Sequence, residues 1–285
     1  MKTGSSTSIR AVLMNLSRKE GLPFQQVITR YLHERLLYRL SLSEYRQNFI
    51  LKGGNLLYAL EGLHTRPTID IDMLAKQIVG NKEKLKNIFT NICSIKYDDD
   101  CVIFDAFNIE VSDIAKEKKY SGVRLLINVQ LDTIKQTIQI DIGFGDIITP
   151  APFSLLYPTL LAGLNPPDIM VYTKETVIAE KFHAMIALGT FNSRMKDFYD
   201  VYNLLKNNDI VDMNLKEAVF QTFSQRNTIL AANHPLFSED FTKNPNRIFQ
   251  WKHFLKKIKA KDLEFPVIVK NILERMQPIY NELFN

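Results

Sequence analysis

Apolar residues recur at helical spacing near the start of the chain and through its last third, while the middle alternates with a period of two. Residues 5–20 place Ile9, Val12, Leu13 and Leu16 on one helical face, behind a Ser/Thr cluster suited to capping. Gly21-Leu22-Pro23 breaks that helix. Phe24 to Ser41 repeats the pattern with Val27, Ile28, Tyr31, Leu32, Leu36, Leu37 and Leu40, leaving Arg30, His33, Arg35 and Arg39 as a polar face. Two readings fit this helical pair: a helix-turn-helix that reads DNA, or two helices packed on a core. Phe49-Ile50-Leu51 predicts a short strand that feeds Lys52-Gly53-Gly54 and a helix ending near Gly62. Thr68 to Met73 predicts a second strand, and Asn81 to Cys93 an amphipathic helix with Leu85, Ile88, Phe89 and Ile92 inward. Four further strands follow: Val102–Phe104, Phe107–Val111, Val123–Val129 and Thr137–Ile142. From about Thr173 the pattern is helical to the end.

This order predicts an α+β protein with a mixed β-sheet flanked by helices and a mostly helical C-terminal region. Asp146 to Pro167 carries Pro150, Pro152, Pro158, Pro166 and Pro167 and marks the expected boundary between domains 1–150 and 151–285. The composition, 46% hydrophobic and 24% charged over 285 residues, is that of an ordinary globular chain with a sizeable core. A net charge of +5 permits a polyanionic partner without demanding one. Cys93 and Cys101 lie eight apart without metal-ligand spacing, which predicts two reduced thiols in a cytoplasmic protein. The polar start Met1-Lys2-Thr3-Gly4-Ser5-Ser6 lacks the apolar stretch of a signal peptide, and no apolar run is long enough to span a membrane.

The chemistry concentrates in four places. In a strand, residues at i and i+2 share a face, so Asp70 and Asp72 stand side by side while Ile69, Ile71 and Met73 are expected to enter the core. Neighbouring carboxylates repel, and a hard cation such as Mg²⁺ or Mn²⁺, shared with a nucleoside triphosphate, is the usual reason to keep them. Asp141 sits on a strand of the same β-region; beside Asp70 and Asp72 it would complete a set able to hold two divalent ions. Taken by itself, Asp141 also fits a turn residue ahead of Gly143 and Gly145. Gly53-Gly54 at a strand-to-helix junction suits close approach of a phosphate to backbone N–H groups, and equally a tight turn. Thr176, a candidate cap, opens a helix with Glu180-Lys181, and after a break comes Arg194-Met195-Lys196-Asp197-Phe198-Tyr199-Asp200, with Asp197 and Asp200 on one helix face. Lys181 is a candidate phosphate ligand there, and both Lys181 and Arg194 fit a solvated surface charge equally well. Finally, Phe241 to Lys261 is basic, through Lys243, Arg247, Lys252, Lys256, Lys257, Lys259 and Lys261, with Phe249, Trp251, His253 and Phe254 interleaved. That mixture fits either a polynucleotide-binding surface or an amphipathic helix with a buried Trp.

The succession of Gly-Gly, Thr-x-Asp-x-Asp, Ile-Asp-Ile-Gly, and Glu-Lys before Arg-x-Lys-Asp-x-x-Asp resembles the AbiEii/AbiGii-type nucleotidyltransferase toxins. These include the MenT proteins and belong to the polymerase-β-like superfamily. The similarity covers roughly residues 25–210 and implies a minimal nucleotidyltransferase fold in the N-terminal domain, with an NTP as substrate and Mg²⁺ or Mn²⁺ as cofactor. It implies Asp70, Asp72 and Asp141 as metal-binding and catalytic carboxylates. Lys181 and Asp197 are further catalytic residues by the same resemblance, and Gly53, Gly54, Asn55, Lys181 and Arg194 nucleotide-binding ones. Such relatives usually carry Gly-Ser in the glycine motif; here position 54 is Gly, so backbone amides or Asn55 would take the role of the serine hydroxyl. The implied activity is NMP transfer to RNA, at a tRNA 3′ end, by a toxin of a toxin–antitoxin or phage-defence system, with a cognate antitoxin as partner. Two alternatives stand beside it: transfer to a protein hydroxyl, as in AMPylation, and a non-catalytic module of the same fold that binds nucleic acid or an antitoxin.

Overall fold

The computed structural model describes residues 5–78, 81–114, 122–206 and 209–284. Their contacts divide into two compact units: Met1–Gly145 with Phe153–Val171, and Asp146–Pro152 with Tyr172–Asn285.

The first unit starts with helices α1 (Ser6–Glu20) and α2 (Phe24–Leu42). Gly21 closes α1 in the left-handed conformation, where glycine carries no Cβ penalty. Ser5 sits at the N-cap of α1 but makes no side-chain capping bond. Strand β1 (Phe49–Lys52) leads into α3 (Gly53–Glu61), followed by β2 (Asp70–Ala75) and α4 (Lys82–Cys93). The Asn81 side chain caps α4 by accepting from the amides of Glu83 and Lys84. Next come β3 (Val102–Phe104), β4 (Glu110–Ile114), β5 (Gly122–Leu131) and β6 (Ile134–Phe144). Strands β7 (Phe153–Leu156) and β8 (Asp168–Val171) lie in and just after the proline-rich stretch that the sequence pattern leaves as loop. Their antiparallel pairing supplies partners for backbone groups that a loop would leave to water.

The sheet runs β3-β5-β6-β2-β1-β8-β7, with β4 also paired to β5. It is mixed: β1 with β8 and β2 with β6 are parallel, and the other pairs are antiparallel. The two-residue period decides which side chains are inside. Ile71 and Met73 of β2, Leu125 and Ile127 of β5, and Ile138, Ile140 and Ile142 of β6 are buried. Each contributes about 1.5–3 kcal/mol when withdrawn from water.

Helix α2 follows the second of its two readings, packing on a core, but its polar face does not lie at the surface. The supposed polar face, Arg30, His33, Arg35 and Arg39, is buried throughout. Arg30 donates to the carbonyls of Leu63 and Thr65, and Arg35 to that of Asn165. Arg39 forms a buried ion pair with Asp100 and donates to the carbonyl of Tyr97. These guanidinium groups satisfy loop carbonyls within the unit, so this face does not read DNA; α2 is a packed central helix.

The second unit is helical: α5 (Lys174–Leu188), α6 (Met195–Lys206), α7 (Asp212–Gln225), α8 (Glu239–Lys243), α9 (Pro245–Ile258) and α10 (Phe265–Glu282). The cap of α5 is Thr173, not Thr176. The Thr173 hydroxyl accepts from the Thr176 amide, whereas the Thr176 hydroxyl bonds both backbone groups of Thr149. Phe182, Phe198, Trp251, Phe265 and Tyr280 form the aromatic core of this unit. None of the described helices is long and apolar enough to cross a membrane.

Candidate active site

Strand register brings the acidic residues together. Asp72 on β2 is the Cα partner of Asp141 on β6, and Asp70 that of Gln139. Neighbouring residues in register project to the same face. Asp70, Asp72 and Asp141 each offer a carboxylate oxygen lying within 4.8 Å of the other two, all on half-buried side chains. The row continues outward in both directions, because Lys52 of β1 pairs with Asp72 and Arg124 of β5 pairs with Asp141. Across four strands the charges run plus, minus, minus, plus.

Arg124 is the member of this row that sequence reading missed. Its Nε and Nη2 donate to the two oxygens of Asp141, each at 2.8 Å, in a bidentate fork. The bonds to Asp141, reinforced by the charges of Asp141, Asp70 and Asp72, raise its pKa above the ordinary arginine value. The one legible signal was an arginine inside the otherwise apolar run Val123-Arg124-Leu125-Leu126. The Gln139 amide also lies 3.3 Å from both Asp141 oxygens. Asp70 is oriented differently: its Oδ1 accepts from the Thr68 hydroxyl at 2.8 Å.

The glycine pair is explained by this crowding. Gly53 has φ of +68°, and a Cβ there would fall on the carboxylate of Asp72. A Cβ at Gly54 would come 2.5 Å from Thr68 Cβ and 2.6 Å from its Oγ1. The space a serine at position 54 would need is taken by Thr68, the residue that holds Asp70. Lys52, at the N-cap of α3, makes no capping bond.

Asn55 corrects an expectation. It is buried, with 1% of its surface exposed, and its amide is spent inside the unit. Nδ2 donates to the Asp70 carbonyl at 2.7 Å, while Oδ1 lies 3.2 Å from His33 Nδ1 and accepts from the Tyr157 hydroxyl at 3.3 Å. Asn55 therefore pins the start of β2 and does not reach out to a phosphate. Burial lowers the pKa of His33 to about 4, so the ring is neutral at pH 7 and its Nδ1–H serves Asn55.

The remaining candidates lie together in the second unit. Lys181 Nζ is 2.8 Å from Asp197 Oδ1 and 2.8 Å from Asp200 Oδ2, and Arg194 Nε is 2.8 Å from Asp197 Oδ2. The side chain of Asp197 is fully buried and that of Lys181 12% exposed, while that of Arg194 is 49% exposed. The i, i+3 spacing of α6 puts both aspartates opposite the lysine of α5.

In the basic region, Trp251 is fully buried and donates to the Leu263 carbonyl. Arg247 is also internal: it donates to the carbonyls of Thr190 and Asn192. Lys252, His253, Lys256 and Lys257 stay exposed beside Phe249, which is 72% exposed. The helix thus has a buried Trp side and a basic outer side that carries one bare aromatic ring.

Three convergent carboxylates with all-oxygen donors suit a hard divalent cation and not a soft one. Residues 35–271 match the family described as nucleotidyl transferase AbiEii toxin of a type IV toxin–antitoxin system. Two solved structures share the fold. One, described as a candidate nucleotidyltransferase from H. pylori, is 14% identical with a TM-score of 0.54, covering 92% of this chain and 98% of that one. The other, JHP933 from Helicobacter pylori, is 15% identical with a TM-score of 0.53, covering 91% and 94%. No curated protein matches the chain.

Proposed function

Since the chain belongs to the AbiEii family of nucleotidyl transferase toxins, we propose that it transfers a nucleoside monophosphate from an NTP to the 3′ hydroxyl of an RNA. The reading is supported chiefly by one observation: Asp70, Asp72 and Asp141 bring oxygens within 4.8 Å of one another on adjacent strands. These residues would hold Mg²⁺ or Mn²⁺. When bound, such an ion neutralises the triphosphate and the leaving pyrophosphate and makes the acceptor hydroxyl a better nucleophile.

The chain's own residues divide the remaining work. Thr68 orients Asp70 through its hydroxyl, and Asn55 fixes the Asp70 backbone. Gly53 and Gly54 let the start of α3 lie against Asp72 and Thr68, and the backbone N–H groups of that helix start are the proposed phosphate contacts. In the second unit Lys181 and Arg194 are the cations proposed for polyphosphate, with Asp197 and Asp200 setting the position of the lysine ammonium. The exposed basic side of α9, with Phe249, suits a nucleic-acid acceptor: lysines for the backbone and an aromatic face for a base. A cognate antitoxin, as the family description implies, is the expected protein partner.

The test uses purified protein, each labelled NTP in turn, total tRNA and Mg²⁺. Wild type is expected to label RNA, and Asp70→Ala to lose the label. Label that is undiminished in Asp70→Ala would sink the assignment. Label in the protein fraction instead would move the acceptor to a protein hydroxyl, and no label with any NTP would leave a binding module.

A further inference from the structure

We infer that His33 and Tyr157 are positioning residues for Asp70, acting through the side-chain amide of Asn55. This rests on the metal-dependent reading of Asp70 above.

Asp70 opens β2 where the sheet gives it no strand neighbour on one side. Strand β1 ends at Lys52, which pairs with Asp72, and the chain then turns into α3. No residue of β1 therefore stands across from Asp70. A backbone carbonyl at such a place needs a donor from elsewhere. Asn55 of α3 supplies it: Nδ2 donates to the Asp70 carbonyl at 2.7 Å. The Thr68 hydroxyl lies 3.5 Å from the same oxygen, but its closer partner is Asp70 Oδ1 at 2.8 Å.

That one bond fixes the sense of the network behind it. A carbonyl only accepts, so the amide nitrogen of Asn55 must face Asp70 and its Oδ1 must face the other way. Oδ1 also only accepts. The two groups that meet it, His33 Nδ1 at 3.2 Å and the Tyr157 hydroxyl at 3.3 Å, must both donate. A neutral His33 can do so only as the Nδ1–H tautomer, and burial keeps it neutral by lowering its pKa to about 4. Two donors on one side of the amide and an acceptor on the other leave Asn55 a single orientation. The flipped amide would set its oxygen against the Asp70 carbonyl.

The two donors are themselves held in place. His33, Asn55 and Tyr157 are all buried. Tyr157 lies in the loop between β7 and β8, and the residues that follow His33 on α2 fasten that loop. The Leu160 amide donates to Glu34 Oε2 at 2.8 Å, and Arg35 donates to the Asn165 carbonyl at 3.1 Å. The Tyr157 amide donates to the Pro167 carbonyl at 2.8 Å, and its ring lies 5.5 Å from that of Tyr58 on α3, centroid to centroid. Helix α2, helix α3 and the β7–β8 loop thus converge on the one amide that sets the Asp70 backbone. Removing a donor frees that amide to turn, and the carboxylate then meets a cation from a looser backbone.

The experiment measures the Mn²⁺ dissociation constant of the full chain from the electron paramagnetic resonance signal of free Mn²⁺. Tyr157→Phe removes one hydroxyl and keeps the ring; it is expected to weaken Mn²⁺ binding on the order of tenfold. Tyr31→Phe is the matched control, because Tyr31 is equally buried and its hydroxyl donates one bond, to the Asp100 carbonyl. It should lower the urea midpoint as much as Tyr157→Phe does and leave Mn²⁺ affinity unchanged. His33→Leu should weaken Mn²⁺ binding as Tyr157→Phe does. His33→Asn, whose amide nitrogen takes the place of Nδ1, should restore most of the affinity. Tyr157→Phe alone decides the matter if His33→Leu does not fold. Unchanged affinity in Tyr157→Phe and His33→Leu would overturn the positioning role. So would an equal loss in Tyr31→Phe, the mark of a general weakening of the fold. In either case Asp70→Asn would still lose Mn²⁺, and the metal site would stand. Absence of Mn²⁺ binding in wild type would instead remove the metal-dependent reading, and the positioning role with it.

Discussion

The two charged clusters are built on opposite electrostatic principles. On the sheet, three aspartates converge with Arg124 forked on one of them, and their side chains stay half-buried. On helices α5 and α6, Lys181 and Arg194 meet Asp197 and Asp200, and the central aspartate is fully buried. The first cluster carries more negative charge than positive. The second balances two cations against two anions, which is the condition for burying charge at all. One is costly to the fold and useful to a ligand; the other holds its unit together while presenting a positioned ammonium.

The contrast is broken most sharply by neutralising one aspartate in each. Asp70→Asn is expected to reduce nucleotide transfer by on the order of a thousandfold, while stability to urea stays level or rises by about 0.5 kcal/mol as carboxylate repulsion is relieved. Asp197→Asn should do the reverse to stability. It leaves a nearly buried lysine short of one partner, and denaturant unfolding of the second unit should report a loss of about 3–5 kcal/mol. If both substitutions destabilise equally, the two clusters do not differ in kind.

A smaller effect probes the scaffold beneath the carboxylates. His33 has a folded pKa of about 4 because it is buried, against an unfolded value of about 6.5. The unfolded chain therefore takes up a proton between about pH 6.5 and 4 and the folded one does not, so stability falls as pH is lowered through that window. The difference in stability between wild type and His33→Gln should shift by about 3 kcal/mol across it, against the wild type at low pH. A pH-independent difference would show that His33 is not held neutral. Smallest of all, Mg²⁺ at about ten times its dissociation constant should stabilise wild type by about 1.4 kcal/mol and leave Asp70→Asn unmoved in thermal melts.

Local pattern carried much of this architecture. The alternation in Thr137–Ile142 and in Asp70–Met73 named the strands and the faces their aspartates occupy, because a period of two is a property of the backbone itself; Ile69, expected in the core, lies ahead of β2 and is exposed. Helices α1 to α4 follow from apolar spacing and from Gly21, Asn81 and Gly62 as stops and caps. What escaped was whatever depends on a distant partner. Strands β7 and β8 are too short and too rich in neighbouring proline to announce themselves; they exist through their pairing with each other and that of β8 with β1. The four polar residues of α2 look solvent-facing in one dimension; in three, each meets loop groups or, for His33, the Asn55 amide.

The sequence by itself determined which residue types were available: a carboxylate pair at strand spacing, a third on another strand, a glycine pair, and a lysine ahead of an Asp-x-x-Asp turn of helix. Those are short-range facts, set by backbone periodicity. The tertiary structure decided which of them meet. Parallel pairing of β2 with β6 puts Asp72 beside Asp141, and antiparallel pairing of β5 puts Arg124 on the far side of the same carboxylate. It also turned Asn55 inward and filled the space beside Gly54 with the side chain of Thr68. Strand register and packing across tens of residues settle such neighbours, and no local period encodes them.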